Sequence, residues 1–168
     1  KIITKLTHTP TMKKSRILLA LAIFAGCLNV TAQTVERTFY VDFGQNNVAN
    51  QGYKTIGADA NGHYWNNIFG KGTGAPDKAY PQTIGLVTSD NAATDCKLQL
   101  STRFSTNGYT NGGLQNPSKS LLGDLAIESA TQDYIFLEGG QDYGVIHLKG
   151  LDLTKGYRFY LFGSRTAT

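Results

Sequence analysis

The amino-acid sequence predicts an all-β fold, an antiparallel β-sandwich or jelly roll with one short helix. Three observations carry this expectation. From Arg37 onward, apolar residues recur at every second position, the period of strands with two chemically different faces. Clusters of Gly, Asn, Asp and Ser interrupt the alternation and supply turns. A single stretch, Ser118 to Ser129, spaces its apolar residues as a helix does.

In chain order, residues 1–11 carry neither a hydrophobic face nor turn chemistry tied to the downstream residues, and they precede a candidate initiator, Met12. They are expected to be upstream over-translation; a long n-region is the other reading. Residues 12–32 have the three parts of a secretory signal: a basic stretch (Lys13, Lys14, Arg16), the apolar run Ile17 to Gly26, and Val30-Thr31-Ala32 before Gln33. The run falls short of the about 20 apolar residues that span a bilayer, so no transmembrane span is expected. Export follows, to the periplasm, cell surface or medium, with residues 33–168 as one folded module. Cys27 offers a competing reading as the acylated cysteine of a lipoprotein, with Phe24 standing where the lipobox usually has Leu.

The signal also decides the charge argument. Of the 16 Lys and Arg residues, Lys1, Lys5, Lys13, Lys14 and Arg16 precede Gln33, whereas none of the 12 Asp and Glu residues does. The module itself is nearly neutral and has no Lys/Arg cluster. Nucleic-acid binding, which depends on several phosphate contacts, therefore has no support. With Cys27 in the signal, Cys96 stands alone, so no intrachain disulfide is expected and Cys96 reads as a small, buried apolar residue.

The strands are justified one by one. Phe39, Val41 and Phe43 alternate with Tyr40 and Asp42; Leu98, Leu100 and Phe104 with Lys97, Gln99 and Arg103; Tyr157, Phe159 and Leu161 with Arg158, Tyr160 and Phe162. Shorter strands are expected at Tyr64 to Ile68, Ile84 to Thr88, Tyr134 to Glu138 and Gly144 to Leu148. In the helical stretch, Ser118 and Ser120 are candidate caps, and Leu121, Leu122, Leu125 and Ala126 form the apolar stripe that Gly123 weakens. The connections Gln45 to Tyr53, Gly57 to Gly62, Gly70 to Tyr80 and Asn107 to Asn116 are long and rich in Asn and Gly, the places where a rigid scaffold carries binding residues. Tyr157 to Phe162 is too apolar for an edge strand, yet only Gly163 to Thr168 comes after it; the module is expected to be truncated at its C-terminus.

Four blocks carry a family resemblance: Phe39-Tyr40-Val41-Asp42-Phe43-Gly44, Asn61-Gly62-His63-Tyr64-Trp65-Asn66-Asn67-Ile68, Leu121-Leu122-Gly123-Asp124 and Tyr157-Arg158-Phe159-Tyr160-Leu161-Phe162-Gly163-Ser164-Arg165. Together they resemble the N-terminal β-sandwich accessory module of exported Bacteroidetes proteins, of the kind attached to carbohydrate-active enzymes such as SGNH/GDSL-type esterases. The resemblance covers about Arg37 to Thr168. It implies an exported, polysaccharide-related setting, with downstream domains of the same chain as partners.

An SGNH-type hydrolase needs a nucleophilic serine in a Gly-Asp-Ser block and a distant Asp-x-x-His. Here Gly123-Asp124-Leu125 puts leucine in the serine's place, and neither His63 nor His147 follows an Asp at that spacing. No catalytic residue is identified, and whether the whole protein is an enzyme stays open. The expected function is a noncatalytic accessory or carbohydrate-binding module. A structural or cell-surface interaction domain is the alternative, and the N-terminal part of an SGNH/GDSL-type hydrolase, with its catalytic domain beyond Thr168, is a third.

The candidate ligand-binding residues are Trp65, Tyr80, Tyr109 and Tyr143. Sugar rings pack their C–H faces on aromatics, and Asn66-Asn67 beside Trp65 would pair with hydroxyls. Trp65 also reads as a core residue whose indole N–H is bonded to a loop, and each tyrosine as a loop-packing residue. No metal site is expected. The only cofactor suggested is a structural calcium at Asp42 or Asp59-Ala60-Asn61-Gly62, where turn capping is the simpler reading. Ser164-Arg165 reads as an anchor for the last strand.

Overall fold

The computed structural model describes residues 3–10, 36–45, 53–70, 80–137, 140 and 142–163. The signal-like segment from Met12 to Gln33 and the Ser164-Arg165 pair lie outside them.

The described residues are all-β in character, in three sheets. The first contains β1 (Ile3–Pro10), β2 (Thr38–Gly44), β3 (Trp65–Phe69) and β9 (Lys155–Phe162), in the order β3-β2-β1-β9. The second is β4 (Gln82–Val87), β5 (Ala93–Leu100) and β8 (Ile146–Lys149), in the order β4-β5-β8. A short ribbon pairs β6 (Ser105–Asn107) with β7 (Tyr134–Phe136).

Each of the seven expected strands has a counterpart, but three features differ from expectation. Ile3–Pro10, which the sequence reading sets outside the module, is an extended strand antiparallel to both β2 and β9; its run of β-branched Ile and Thr favours the pleated backbone. The alternation from Leu98 to Phe104 is not one strand. β5 ends at Leu100, the Ser101 N–H turns to the Val145 carbonyl, and pairing resumes in β6. The pairing is also not antiparallel throughout, because β2 and β3 run parallel with Tyr40 opposite Trp65 and Phe43 opposite Ile68. A parallel pair needs a long crossover, here the connection between Gly44 and Trp65.

Strands buried on both faces are what parallel pairing favours, and β2 and β3 are such strands. Phe39, Val41, Phe43 and Ile68 join Ile84, Leu86, Leu98, Leu100, Phe104 and Ile135 in one core shared by the two larger sheets. On the other face, Tyr40 and Trp65 pack with Leu125 and Ala130. β4 and β8 alternate cleanly: Ile84 and Leu86 turn inward, while His147 and Lys149 are exposed.

Asn66 joins the two sheets. Its fully buried amide donates to the carbonyls of Tyr40 (2.9 Å) and Val87 (2.8 Å), while its oxygen accepts from the Val87 N–H (2.8 Å). It acts as a piece of backbone inserted between β2 and β4. The outer side of β3 is covered in turn: Thr55 N–H bonds to the Trp65 carbonyl, and Asn67 N–H to that of Tyr53.

The expected single helix is instead a chain of short turns: α1 (Lys119–Leu122), a 3-10 turn at Gly123–Leu125 and α2 (Glu128–Thr131). Gly123 adopts φ +55°, which helical backbone does not allow, and Ile127 is extended. Ser118 occupies the cap position of α1, but its hydroxyl bonds to the Ser120 hydroxyl rather than to a backbone N–H of the helix. No helix among the described residues is long and apolar enough to cross a membrane.

β9 lies at the edge of its sheet, paired with β1 alone among the described strands. Phe159, Tyr160 and Leu161 remain 48%, 42% and 70% exposed.

Candidate functional site

The motif blocks of β2, β3 and the Leu121-Leu122-Gly123-Asp124 turn converge on Tyr40. Its ring is flanked by His63 (centroids 4.8 Å apart, stacked) and Trp65 (4.9 Å), and its hydroxyl donates to Asp124 Oδ2 at 3.1 Å. The same Asp124 oxygen lies 4.0 Å from His63 Nε2. Asp59 closes the group from below: Oδ1 accepts the N–H groups of Asn61 (2.8 Å) and His63 (2.9 Å), and Oδ2 accepts the Trp65 indole N–H at 2.7 Å. Asp59 therefore caps its own turn and anchors the tryptophan. Tyr40, His63, Trp65 and Asp124, from three of the four motif blocks, thus fasten the fold.

Burial, the neighbouring Asp124 charge with its hydrogen bond, and the Asp59 charge together hold the Tyr40 phenol protonated well above the ordinary tyrosine range. Because the raised value belongs to the folded state, the linked stability is complete below about pH 10, the unfolded tyrosine value, and is lost as pH rises above it. Tyr40→Phe lacks this term. Urea denaturation of both proteins between about pH 8 and pH 11 is expected to show the wild-type advantage shrinking above pH 10. A constant difference across that range would contradict the assignment.

A second constellation is open to solvent. The end of β2, the end of β6 and the start of β7 enclose a cleft of about 460 Å³, lined by Gln45, Asn107 to Asn111, Gln132 and Asp133. That volume lies in the range of small-ligand sites. Its ledge is the 3-10 turn Tyr109–Asn111, which leaves Tyr109 56% exposed. Fixed hydrogen bonds hold the rim. Tyr134 Oη donates to the Asn111 carbonyl at 2.6 Å, and the Asp133 carboxylate, fully buried, accepts the Gln45 N–H at 2.7 Å.

Glycines permit this close approach. A Cβ on Gly44 would lie 2.3 Å from Asp133 Oδ1, and one on Gly113 would lie 1.7 Å from the Gln132 carbonyl oxygen. Gly112, at φ +97°, ends the 3-10 turn in the left-handed region.

The four sequence-predicted residues are not brought together. Trp65 is 2% exposed and gives no ring face to solvent; its neighbour Asn66 binds backbone, not a ligand. Tyr80 is a packing residue: its hydroxyl donates to the Phe104 carbonyl (3.0 Å), accepts the Phe104 N–H (3.1 Å), and its ring lies against the main core. Tyr143 is 69% exposed but is not among the residues that line the cleft. Tyr109 alone combines exposure with a cavity. Cys96 is partly buried, with its thiol directed at the Gly150 carbonyl (3.5 Å). His147 is exposed on β8.

Sequence reasoning missed Gln45, Gln132 and Asp133. It identified the loops that begin at Gln45 and Asn107 as long and Asn/Gly-rich, but the third wall, just before β7, carries no such signal. No family model, no curated protein and no solved structure matches the chain, so its function has to be read from the site.

Proposed function

We propose that the chain is a noncatalytic accessory or carbohydrate-binding module of a larger exported, polysaccharide-related protein, and that the Tyr109 cleft is its ligand surface. The observation that carries this is composition joined to geometry: one exposed aromatic residue stands on a 3-10 turn in a cleft lined by the amide-bearing residues Gln45, Asn107, Asn111 and Gln132, of which Asn107 Nδ2 lies 3.4 Å from Tyr134 Oη and Asn111 Nδ2 3.3 Å from Thr110 Oγ1. Amides offer both donors and acceptors, the pairing that sugar hydroxyls require, and the ring offers a face for the sugar's C–H groups. The two sheets that share a core are read as the layers of a β-sandwich, with the cleft at one end. Export rests on the signal-like Met12 to Ala32, and the accessory role on the family resemblance.

Tyr109→Ala is expected to weaken binding to a soluble glycan about tenfold, or ~1.4 kcal/mol, because a rigid aromatic anchor supplies much of the contact area. The melting curve should not move, since the ring is exposed. Tyr143→Ala, outside the cleft, should leave affinity unchanged. Isothermal titration of the three proteins checks this; equal affinities for wild type and Tyr109→Ala would remove the cleft from consideration.

A second reading, a structural or cell-surface interaction domain, is favoured by β9, where Phe159, Tyr160 and Leu161 stand exposed on a sheet edge. Exposed apolar edges accept further strands or partners. Processing after Ala32 would also remove β1 and open the facing edges of β2 and β9.

A further inference from the structure

We infer that the slot between β2 and β9 is a strand-acceptor site that takes an extended segment of another polypeptide, a role separate from the Tyr109 cleft. In the sheet order β3-β2-β1-β9, Ile3–Pro10 runs antiparallel to both neighbours, with Leu6 level with Phe39 and Phe159, and Thr4 level with Val41 and Leu161. β2 and β9 are therefore parallel to each other and two strand spacings apart, about 9.5 Å. Each side of that gap has supports of its own. β2 is tied to β3 through the Asn66 amide on the Tyr40 carbonyl, and to the main core through Phe39, Val41 and Phe43. β9 is held near both ends, by Tyr157 against the main core and by Phe162 against the group of Tyr40 and Trp65.

The occupant is held mainly by its backbone. Ile3–Pro10 has no apolar stripe, so ladder hydrogen bonds on both sides carry its attachment, the mode in which main-chain pairing gives affinity and alternate side chains give specificity. Specificity falls on the positions of Thr4 and Leu6, because side chains level with one another on paired strands share a face. The flanking residues there are the buried Phe39 and Val41 on one side and the exposed Phe159 and Leu161 on the other. An eight-residue segment with apolar side chains at both positions extends the core toward Phe159 and Leu161. Residues 11–37 separate β1 from β2 in sequence, and on the export reading cleavage after Ala32 severs that link and leaves the slot to a strand of another chain.

The test uses the full chain with a specific protease site inserted between Thr11 and Met12, cut once the chain has folded. A fluorescently labelled peptide of residues 1–11 is titrated against it and followed by anisotropy, with the uncut chain as control. In the uncut chain the tethered β1 competes at an effective concentration on the order of 1 mM, so the peptide is expected to bind the cut chain at least about tenfold more tightly. A peptide carrying Leu6→Pro lacks a ladder N–H in a strand paired on both sides and should not bind, whereas one carrying Thr4→Val should bind severalfold more tightly. No binding to the cut chain, whether circular dichroism shows it folded or unfolded, or equal binding of the Leu6→Pro peptide, would overturn the acceptor site. Equal affinities of the Thr4→Val and unaltered peptides would overturn the chemistry assigned to the partner. Dimers of the uncut chain that excess peptide dissolves would put a second copy in the slot in place of a foreign strand.

Discussion

Replacing Trp65 by alanine is expected to lower the unfolding free energy by about 3–5 kcal/mol, the range for removing a large buried aromatic. The ring is 2% exposed, lies 4.9 Å from that of Tyr40 between ring centroids, and shares a core with Leu125 and Ala130. Its removal opens a cavity under β2 and frees a carboxylate oxygen of Asp59 from the indole N–H. The chain has a single tryptophan, so the denaturation curve must be followed by circular dichroism rather than fluorescence. A loss of stability below about 1 kcal/mol would put the ring outside the core.

The second large effect is expected at Gly44. A Cβ there would lie 2.3–2.4 Å from three atoms of the Asp133 carboxyl group, which is fully buried and short, so the strand or the acid must move. Overpacking of this kind costs about 1–3 kcal/mol, and displacing the acid from the Gln45 N–H adds about 1–3 kcal/mol more. Gly44→Ala should therefore destabilise by about 2–6 kcal/mol and also reduce glycan affinity, because Gln45 and Asp133 are walls of the cleft. A double-mutant cycle identifies the cause. Adding Asp133→Ala removes the clashing group, so the two changes together should cost clearly less than the sum of the separate losses. Simple additivity would show that Gly44 is restricted by something other than Asp133.

How much of this was legible in the sequence depends on whether the relevant physics is local. The β character was legible because alternation survives in Phe39 to Phe43 and Tyr157 to Phe162 whatever lies next to them; the edge position of β9, which pairs with β1 alone among the described strands, was not, because its apolar residues do not fix which strands lie beside it. The parallel pairing of β2 and β3 was not legible, since period two is the same in both orientations and only the crossover fixes the direction. β6 was hidden because Phe104 continues the alternation of Leu98 and Leu100 while entering the core from a loop. Ile3–Pro10 lacks an apolar stripe, and its pairing depends on two strands distant in sequence.

The site divides in the same way. Trp65 and its Asn66-Asn67 neighbours look like a sugar platform in sequence, yet Asn66 is consumed by three backbone groups that only the folded sheets bring together. Tyr109 was a candidate because it lies in a Gly- and Asn-rich loop. The cleft beside it was not, because Gln45, Asn107 and Asp133 meet only when β2, β6 and β7 end at the same place.

The central claim, that the Tyr109 cleft is the ligand surface, is tested most directly by backbone amide chemical-shift mapping of the full chain during titration with a soluble neutral oligosaccharide. Shifts confined to Gln45, Asn107 to Asn111, Gln132 and Asp133, saturating with ligand, are the predicted result. Shifts centred instead on Phe159 to Leu161, or no shifts while a bulk assay reports binding to the chain, would contradict it.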